Sequence, residues 1–450
     1  MPTAMQSRPA APPNLRSAPH YMRAQKVFPA GVTRATIERD PHPIYIRSGE
    51  GAYVTDIDGK RYLDLNNNFT TLIHGHCFAP VSDAVLRQVR EGSCFANPTP
   101  HEIALAELLV ERICAAERIR FVNTGTEAVM FAIKAARTFT GKPAIARFVG
   151  AYHGAYDWAE MGQNGRVGHP GNGSAASPGY GGQPQAVADD VILLDFNDGE
   201  TTEDLIISNA GRLAAILVDP MPSRAGLLAP KPGFLARLSR LAAEHGILVI
   251  ADEVLNLRQG YSGASPRYGL CPDLVTAGKI IGGGLPIGAI CGRQDVMSVF
   301  GSSDGATRLS QGGTFSANPL SMVAGLAAMQ SLQATDFQRL EALGDDLRHR
   351  LAQVARKHGA RFCVNGAASL FRIHARADIP TRYADAVETA QQGEISRSLV
   401  RHFREHGILL PMGAAACLST PMGHQEIDLI VSVFDDFLDE HPEWQEAASQ

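Results

Sequence analysis

Pro272-Asp-Leu-Val-Thr-Ala-Gly-Lys-Ile-Ile-Gly-Gly-Gly-Leu-Pro-Ile-Gly288 is the stretch on which the rest of the chain turns. Its residues Leu274 to Ala277 predict a short buried strand, which leaves Lys279 at the strand's end before a glycine-rich turn. A lysine held among apolar neighbours loses ammonium hydration, so its pKa falls and the neutral amine can attack a carbonyl to form a Schiff base. A solvated lysine at a strand end is the plainer reading of the same residues. Two other stretches decide between them.

In Gly246-Ile-Leu-Val-Ile-Ala-Asp-Glu-Val254 five apolar residues run into a carboxylate and stop. A buried parallel strand has this pattern, and Asp252 then lies at the carboxyl end, where ligands of open α/β sheets bind. Such a carboxylate calls for a cation, and a protonated pyridine nitrogen is one. Arg120-Phe-Val-Asn-Thr-Gly-Thr-Glu-Ala-Val-Met-Phe-Ala-Ile-Lys-Ala-Ala-Arg137 predicts a strand, a small-residue turn and an amphipathic helix. The amides of Gly125 and Thr126 open that helix, where unsatisfied N–H groups and the dipole favour a phosphate; the same residues also read as an ordinary N-cap. Lysine, carboxylate and anion cradle together describe pyridoxal 5'-phosphate.

From about Gln25 to about Glu440 the chain resembles the class III aminotransferases of pyridoxal-phosphate fold type I, and within them the glutamate-1-semialdehyde aminomutases and β-amino-acid aminotransferases. The motifs are Asn123-Thr-Gly-Thr-Glu-Ala128, Ala151-Tyr-His-Gly154, Ala251-Asp-Glu-Val254, Ala277-Gly-Lys-Ile-Ile-Gly-Gly-Gly284 and Gly312-Gly-Thr-Phe-Ser-Ala-Asn-Pro319, in the family's order. The resemblance implies that Tyr152, followed by His153, lays its ring on the cofactor pyridine. Val254, two residues past Asp252, points to the same side and presses on the other ring face. It further implies that Thr314 reaches the phosphate of a neighbouring subunit, so that the active site belongs to a homodimer.

Composition agrees. With 450 residues, 45% hydrophobic and 19% charged, the chain can form a large α/β domain and a smaller companion. A net charge of -5 offers no basic face for nucleic acid. No apolar run reaches a membrane span or a signal-peptide core, and the 7 cysteines lack metal-ligand spacing and are odd in number, which fits a reducing cytoplasm. Residues 1–25, rich in proline and alanine with arginines and no acid, superficially look like a transit peptide. Their prolines argue for a loose tail instead.

Gly49 to Leu65 predicts a hairpin about Asp58-Gly59. Short apolar strands at Ala144–Phe148, Val191–Leu194, Ala215–Val218, Leu248–Ala251, Leu274–Thr276 and Ile287–Ile290 then alternate with helices such as Leu235–Glu244, and the alternation predicts a mostly parallel doubly wound sheet. Gly162 to Gln185, rich in Gly, Pro and Ser, reads as a mobile flap. The expected organisation is an amino-terminal tail and hairpin segment (1–75) packing with the small domain, a large cofactor-binding domain (76–333) and a small α+β carboxyl-terminal domain (334–450). Dinucleotide and Walker readings of the glycine-rich run fail on spacing.

The implied chemistry is transfer of an amino group from a β-amino acid, or a similar amine-bearing carboxylate, to a keto acid, with Lys279 as covalent anchor and proton carrier and Asp252 on the ring nitrogen. The alternatives are an aminomutase and a non-catalytic cofactor-binding protein. The chain departs from the family pattern at Asp219-Pro-Met-Pro-Ser-Arg224, at Leu255-Asn-Leu-Arg258 and at Pro411 to Ser419, where the aminomutase glutamate aligns near Ala414. In Pro29 to Thr36 the arginine of the β-amino-acid enzymes is matched by Arg34. Its planar fork can hold a substrate carboxylate, unless it merely pairs with an acid such as Glu38; Arg224 and Arg258 are the next candidates.

Overall fold

The computed structural model describes residues 16–167, 175–176, 178–301, 305, 307–413, 415–442 and 444. In chain order the strands are β1 (Ile46–Glu50), β2 (Tyr53–Asp56), β3 (Arg61–Asp64), β4 (Arg118–Val122), β5 (Ala144–Phe148), β6 (Arg166–Val167), β7 (Ala175–Ala176) and β8 (Val191–Leu194). They continue as β9 (Leu213–Val218), β10 (Leu248–Asp252), β11 (Leu274–Gly278), β12 (Gly288–Gly292), β13 (Cys363–Asn365), β14 (Leu370–His374), β15 (Ile408–Leu409) and β16 (Ala416–Cys417). Seven of them form one sheet in the order β4-β12-β11-β10-β9-β5-β8. β8, β5, β9, β10 and β11 are parallel, while β12 runs antiparallel to both β11 and β4.

Successive side chains of a strand face opposite sides of the sheet, and the core divides accordingly. Ile145, Leu193, Leu217, Ile250 and Leu274 join Val129, Phe131 and Ile133 of the helix Gly125–Thr140 on one side. Ala146, Phe148, Ile216, Val218, Val249 and Ala251 pack on the other with Phe234, Leu235, Leu238 and Leu241 of the helix Phe234–Glu244. Burial on both faces explains why these strands are continuous apolar runs. The arrangement is the mostly parallel, helix-covered sheet of fold type I, with Asp252 as the last residue of β10.

β2 and β3 form the hairpin, β1 pairs with β2, and β3 takes β15 from the far end of the chain as a parallel neighbour. The carboxyl-terminal helices Ala334–Lys357, Ala390–Glu405 and His424–Glu440 accompany a three-stranded sheet, β13-β14-β16. Among the described residues no helix is long and apolar enough to cross a membrane.

Two expectations need correction. The tail does not stay loose up to Gln25, because Ser17–Ala24 is helical. Pro19 falls in the first turn, where a missing N–H is tolerated, and the helix start is tied to the hairpin by Arg16 N–H on Asp58 Oδ1 at 3.1 Å. Residues 1–15 lie outside the described part. The proposed flap, Gly162 to Gln185, lies partly outside it as well. In the part described, β6 pairs with β7, and Tyr180 and Gln183 donate hydrogen bonds to Asp157 at 3.1 and 2.9 Å, so the segment is fastened to the body at both points.

Candidate active site

Lys279 follows β11 directly and adopts φ 50°, a left-handed conformation that costs a non-glycine residue on the order of 1–3 kcal/mol. Strain of that kind persists where surrounding structure over-determines it, and here buried Gly278 and Ile280 flank the residue. Lys279 itself is part-exposed, so its amine can be reached. Burial lowers its pKa, opposed chiefly by the charge of Asp252.

Asp252 faces the same side of the sheet as Ile250, the side of the helix Gly125–Thr140. Its Oδ1 accepts from Thr276 Oγ1 at 2.9 Å and from the Val254 N–H at 3.1 Å. Thr276 is its register partner on β11, so strand pairing supplies that contact. Oδ2 lies 2.7 Å from His153 Nδ1. Burial lowers the pKa of His153, with Asp252 opposing and Arg147 assisting, so the ring is neutral and donates Nδ1–H to the carboxylate. His153 Nε2 is buried without a partner.

The loop carrying Tyr152 and His153 is held from below by Arg147, a fully buried residue of β5. Its guanidinium donates to the carbonyls of Phe148, Ala151 and Ala159, the two ends of the loop. Burial brings its pKa down to about 9. At the helix Gly125–Thr140, Thr124 caps the Glu127 N–H at 3.1 Å, and the Gly125 and Thr126 amides, which have no partner within a helix, remain directed outward. The loop closes against this cradle through Ala155 N–H on Thr126 Oγ1 at 3.2 Å. At Gly154, with φ 86°, an added Cβ would come 2.4 Å from that oxygen, which explains the glycine. Val254 fills the space between Gly125 and Gly278, where built Cβ atoms would lie 3.0 and 3.3 Å from its methyls.

Lys279, Asp252, His153, Val254, Gly125 and Thr126 are thus gathered at the carboxyl ends of β10 and β11, with Tyr152, a residue 46% exposed, beside them. Thr314 is exposed in the loop before the helix Pro319–Gln330, beside Phe315. Arg34 donates to Asn68 Oδ1 at 3.2 Å and lies 5.4 Å from the centre of the Phe69 ring. Glu38 is not its partner but accepts the N–H groups of Arg39 and Asp40. Arg258 is fully buried, with Nε on Ser369 Oγ (3.0 Å), Nη1 on Thr70 O (2.9 Å) and Nη2 on Leu418 O (2.5 Å), which makes it a tie between segments rather than a ligand for substrate. Ala414 lies outside the described residues.

Several residues of the site were given no role by the sequence reading. Asp219, at the end of β9, is pushed up to about 8 by burial and by the charge of Asp252, so it is a neutral acid at pH 7. It accepts from Met221 N–H (2.8 Å) and Asn256 Nδ2 (2.5 Å), and Asn256 in turn leads to Gln259 (2.6 Å) and Tyr268 (2.9 Å). Glu253, turned away from Asp252, accepts the N–H groups of Ala264 and Ser265 and holds the following loop. A carboxylate pair at a strand end was the available signal, but only the tertiary packing separates their roles.

Comparison with known proteins agrees with this geometry. Residues 35–437 match the family "Aminotransferase class-III". A glutamate-1-semialdehyde 2,1-aminomutase of Methanothermobacter thermautotrophicus is 34% identical over 414 residues, 91% of this chain and 95% of that protein. Among solved structures, an omega-transaminase from Sphaerobacter thermophilus is similar at TM-score 0.92 and 45% identity, with 95% of this chain and 98% of the other covered. A beta-phenylalanine aminotransferase from Variovorax paradoxus is similar at TM-score 0.86 and 30% identity, with 95% and 94% covered. The match spans the sheet, the lysine turn and the turn at Gly125 and Thr126 alike, and the chain accordingly belongs to the class III aminotransferases, enzymes dependent on pyridoxal 5'-phosphate.

Proposed function

We propose that this enzyme moves an amino group from a β-amino acid, or a similar amine-bearing carboxylate, to a keto acid. The observation that carries the substrate class is Arg34. It is held by Asn68 and Phe69, and among the described residues no carboxylate pairs with it. Asn67, next to Asn68, donates to Cys417 Sγ at 3.5 Å, which ties the segment that holds Arg34 to the carboxyl-terminal strand β16. The similarity to a beta-phenylalanine aminotransferase supports the same choice.

The residues present fit the cofactor. Gly125 and Thr126 offer amides to a phosphate, Asp252 offers a carboxyl group to a ring nitrogen, and the glycines at 125, 154 and 278 let Val254 and Thr126 pack closely around them. Pyridoxal 5'-phosphate, when bound, supplies a carbonyl that takes up an amine and a ring that draws electrons from a carbon losing its proton. Lys279, whose ammonium is disfavoured by burial, would hold the cofactor through its amine and would then be placed to move a proton at the substrate carbon. Asp252, oriented by Thr276, Val254 and His153, would face the ring nitrogen and favour its protonated form. Tyr152 and Val254 would confine the ring from its two faces.

We further propose a homodimer in the cytoplasm, with exposed Thr314 completing the phosphate site of a second copy. In purified mixed dimers of Thr314→Ala and Lys279→Ala chains, activity no better than that of Thr314→Ala alone would reject supply across the interface.

The substrate reading is tested by screening β-amino acids and simple amines against pyruvate and 2-oxoglutarate while following the cofactor's absorbance. Turnover confined to amines without a carboxylate would refute it. The aminomutase reading, favoured by the 34% identical relative, predicts conversion of glutamate-1-semialdehyde to 5-aminolevulinate. With alanine aligned where the aminomutase has its glutamate, no conversion is expected.

A further inference from the structure

We propose that Arg224 is a second carboxylate anchor of this site, taking the far carboxylate of a 2-oxo dicarboxylic acid that serves as amino acceptor; this rests on the aminotransferase reading above. From Leu213 to Leu228 every residue is buried except Arg224. The run leaves β9, passes Asp219 beside the lysine pocket and turns through Met221 to Ser223. Its backbone is fastened around the arginine. Ser223 Oγ accepts the Ala415 N–H at 3.1 Å, and Ser223 O accepts from Leu227 N–H at 3.1 Å and Arg372 Nη1 at 3.4 Å. A lone exposed side chain on such a turn is presented in one direction.

That direction is toward the site. The Arg224 guanidinium lies 5.1 Å from the centre of the Tyr152 ring, and the residue after Tyr152 is the histidine bonded to Asp252. Stacking on an aromatic face orients the planar group while leaving its N–H edge free to grip a carboxylate with two parallel hydrogen bonds. Among the described residues no ion pair or hydrogen bond engages that edge. Arg258, the other arginine near the lysine, is fully buried and bonded to three neutral oxygens.

The reaction itself calls for two forks. A β-amino acid bears its carboxylate two bonds from the carbon that holds nitrogen, whereas a 2-oxo acid bears one directly on that carbon and a dicarboxylic acid adds another farther out. One fixed guanidinium cannot meet all three positions with the same bidentate geometry. Arg34 and Arg224 hang from different segments, and Arg224, at the rim over Tyr152, suits the farthest position.

The test compares wild type, Arg224→Ala and Arg224→Lys as holoenzymes. The ratio of kcat/KM for 2-oxoglutarate to that for pyruvate should fall about tenfold or more in Arg224→Ala, through KM, with Arg224→Lys between the two. An unchanged ratio, or equal loss with both acceptors, would overturn the anchor. Glutarate, which cannot react, provides an arm independent of turnover: by calorimetry it should bind the wild-type holoenzyme and bind Arg224→Ala about tenfold more weakly. Equal glutarate affinity in both, or none in wild type, would overturn the anchor even if amino transfer is observed. Weaker glutarate binding in the variant together with no amino transfer would retain the anchor and discard the aminotransferase reading on which its acceptor role was built.

Discussion

The carboxyl ends of β10 and β11 and the segment that holds Arg34 are built differently. At the strand ends the polar groups are buried and pinned by register: Thr276 meets Asp252 because β10 and β11 pair there. Around Arg34 the chain instead passes through Asn67, Asn68, Phe69 and Thr70 with φ of 47°, 49°, 54° and 71°, four left-handed residues in succession. Such a turn is stable only while its context holds it, and Asn66, which accepts the Phe69 N–H, with Asp64, which accepts the N–H groups of Asn66 and Asn67, supplies part of that context. The difference suggests a division of labour: chemistry common to the class is anchored in the sheet, and on the reading proposed above the choice of substrate falls to Arg34, an exposed side chain that can change without disturbing it.

The sharpest break in that division is Lys279→Ala. Transamination should fall by about three orders of magnitude or more for every substrate, because covalent anchoring and proton transfer are lost together, while circular dichroism and subunit assembly stay as in wild type. Asp252→Asn should retain cofactor yet lower kcat by about a hundredfold or more for every amine alike, since an amide cannot keep the ring nitrogen charged. Single-turnover rates measure this, and near-wild-type turnover would remove Asp252 from its role.

Arg34→Ala should behave otherwise. A charge-assisted hydrogen bond contributes about 1.5–3 kcal/mol, so kcat/KM for a carboxylate-bearing donor should fall about tenfold to a hundredfold. An amine without the carboxylate should change little. Equal losses would make Arg34 a structural residue and erase the division drawn above.

The smallest effect is expected in stability. Asp219 binds its proton more tightly in the folded than in the unfolded chain, so the wild-type apoenzyme should lose stability as pH rises from the ordinary carboxylate range through about 8. Asp219→Asn, which keeps the oxygen that accepts from Met221 and Asn256, should lack that slope. Melting curves should therefore separate progressively in favour of the variant from pH 5 up to about 8 and separate no further above it, and curves parallel throughout would count against a neutral Asp219.

Much of this was legible in the residues. Ala144–Phe148 and Val191–Leu194 are observed with the predicted bounds, because strands buried on both faces are apolar throughout. β11 and β12 extend to Gly278 and Gly292, beyond the expected ends, since glycine has no side chain to mark a strand. The direction of β12 follows from its connection: residues 279–287 are too few for a parallel crossover. Asp252 and Lys279 stood out by their place at strand ends. Arg147, Asp219 and Glu253 did not, because a buried charge is distinguished by what surrounds it, and those neighbours are distant in sequence. The helix at Ser17–Ala24 escaped because its proline was weighed without regard to its place in the first turn.

Borohydride reduction of the holoenzyme, followed by proteolysis and mass mapping of the cofactor-bearing peptide, tests the assignment at its root. The cofactor should be found on the peptide that contains Lys279 and should be absent from every peptide of Lys279→Ala. Attachment at any other lysine, or reducible attachment surviving in Lys279→Ala, would contradict it.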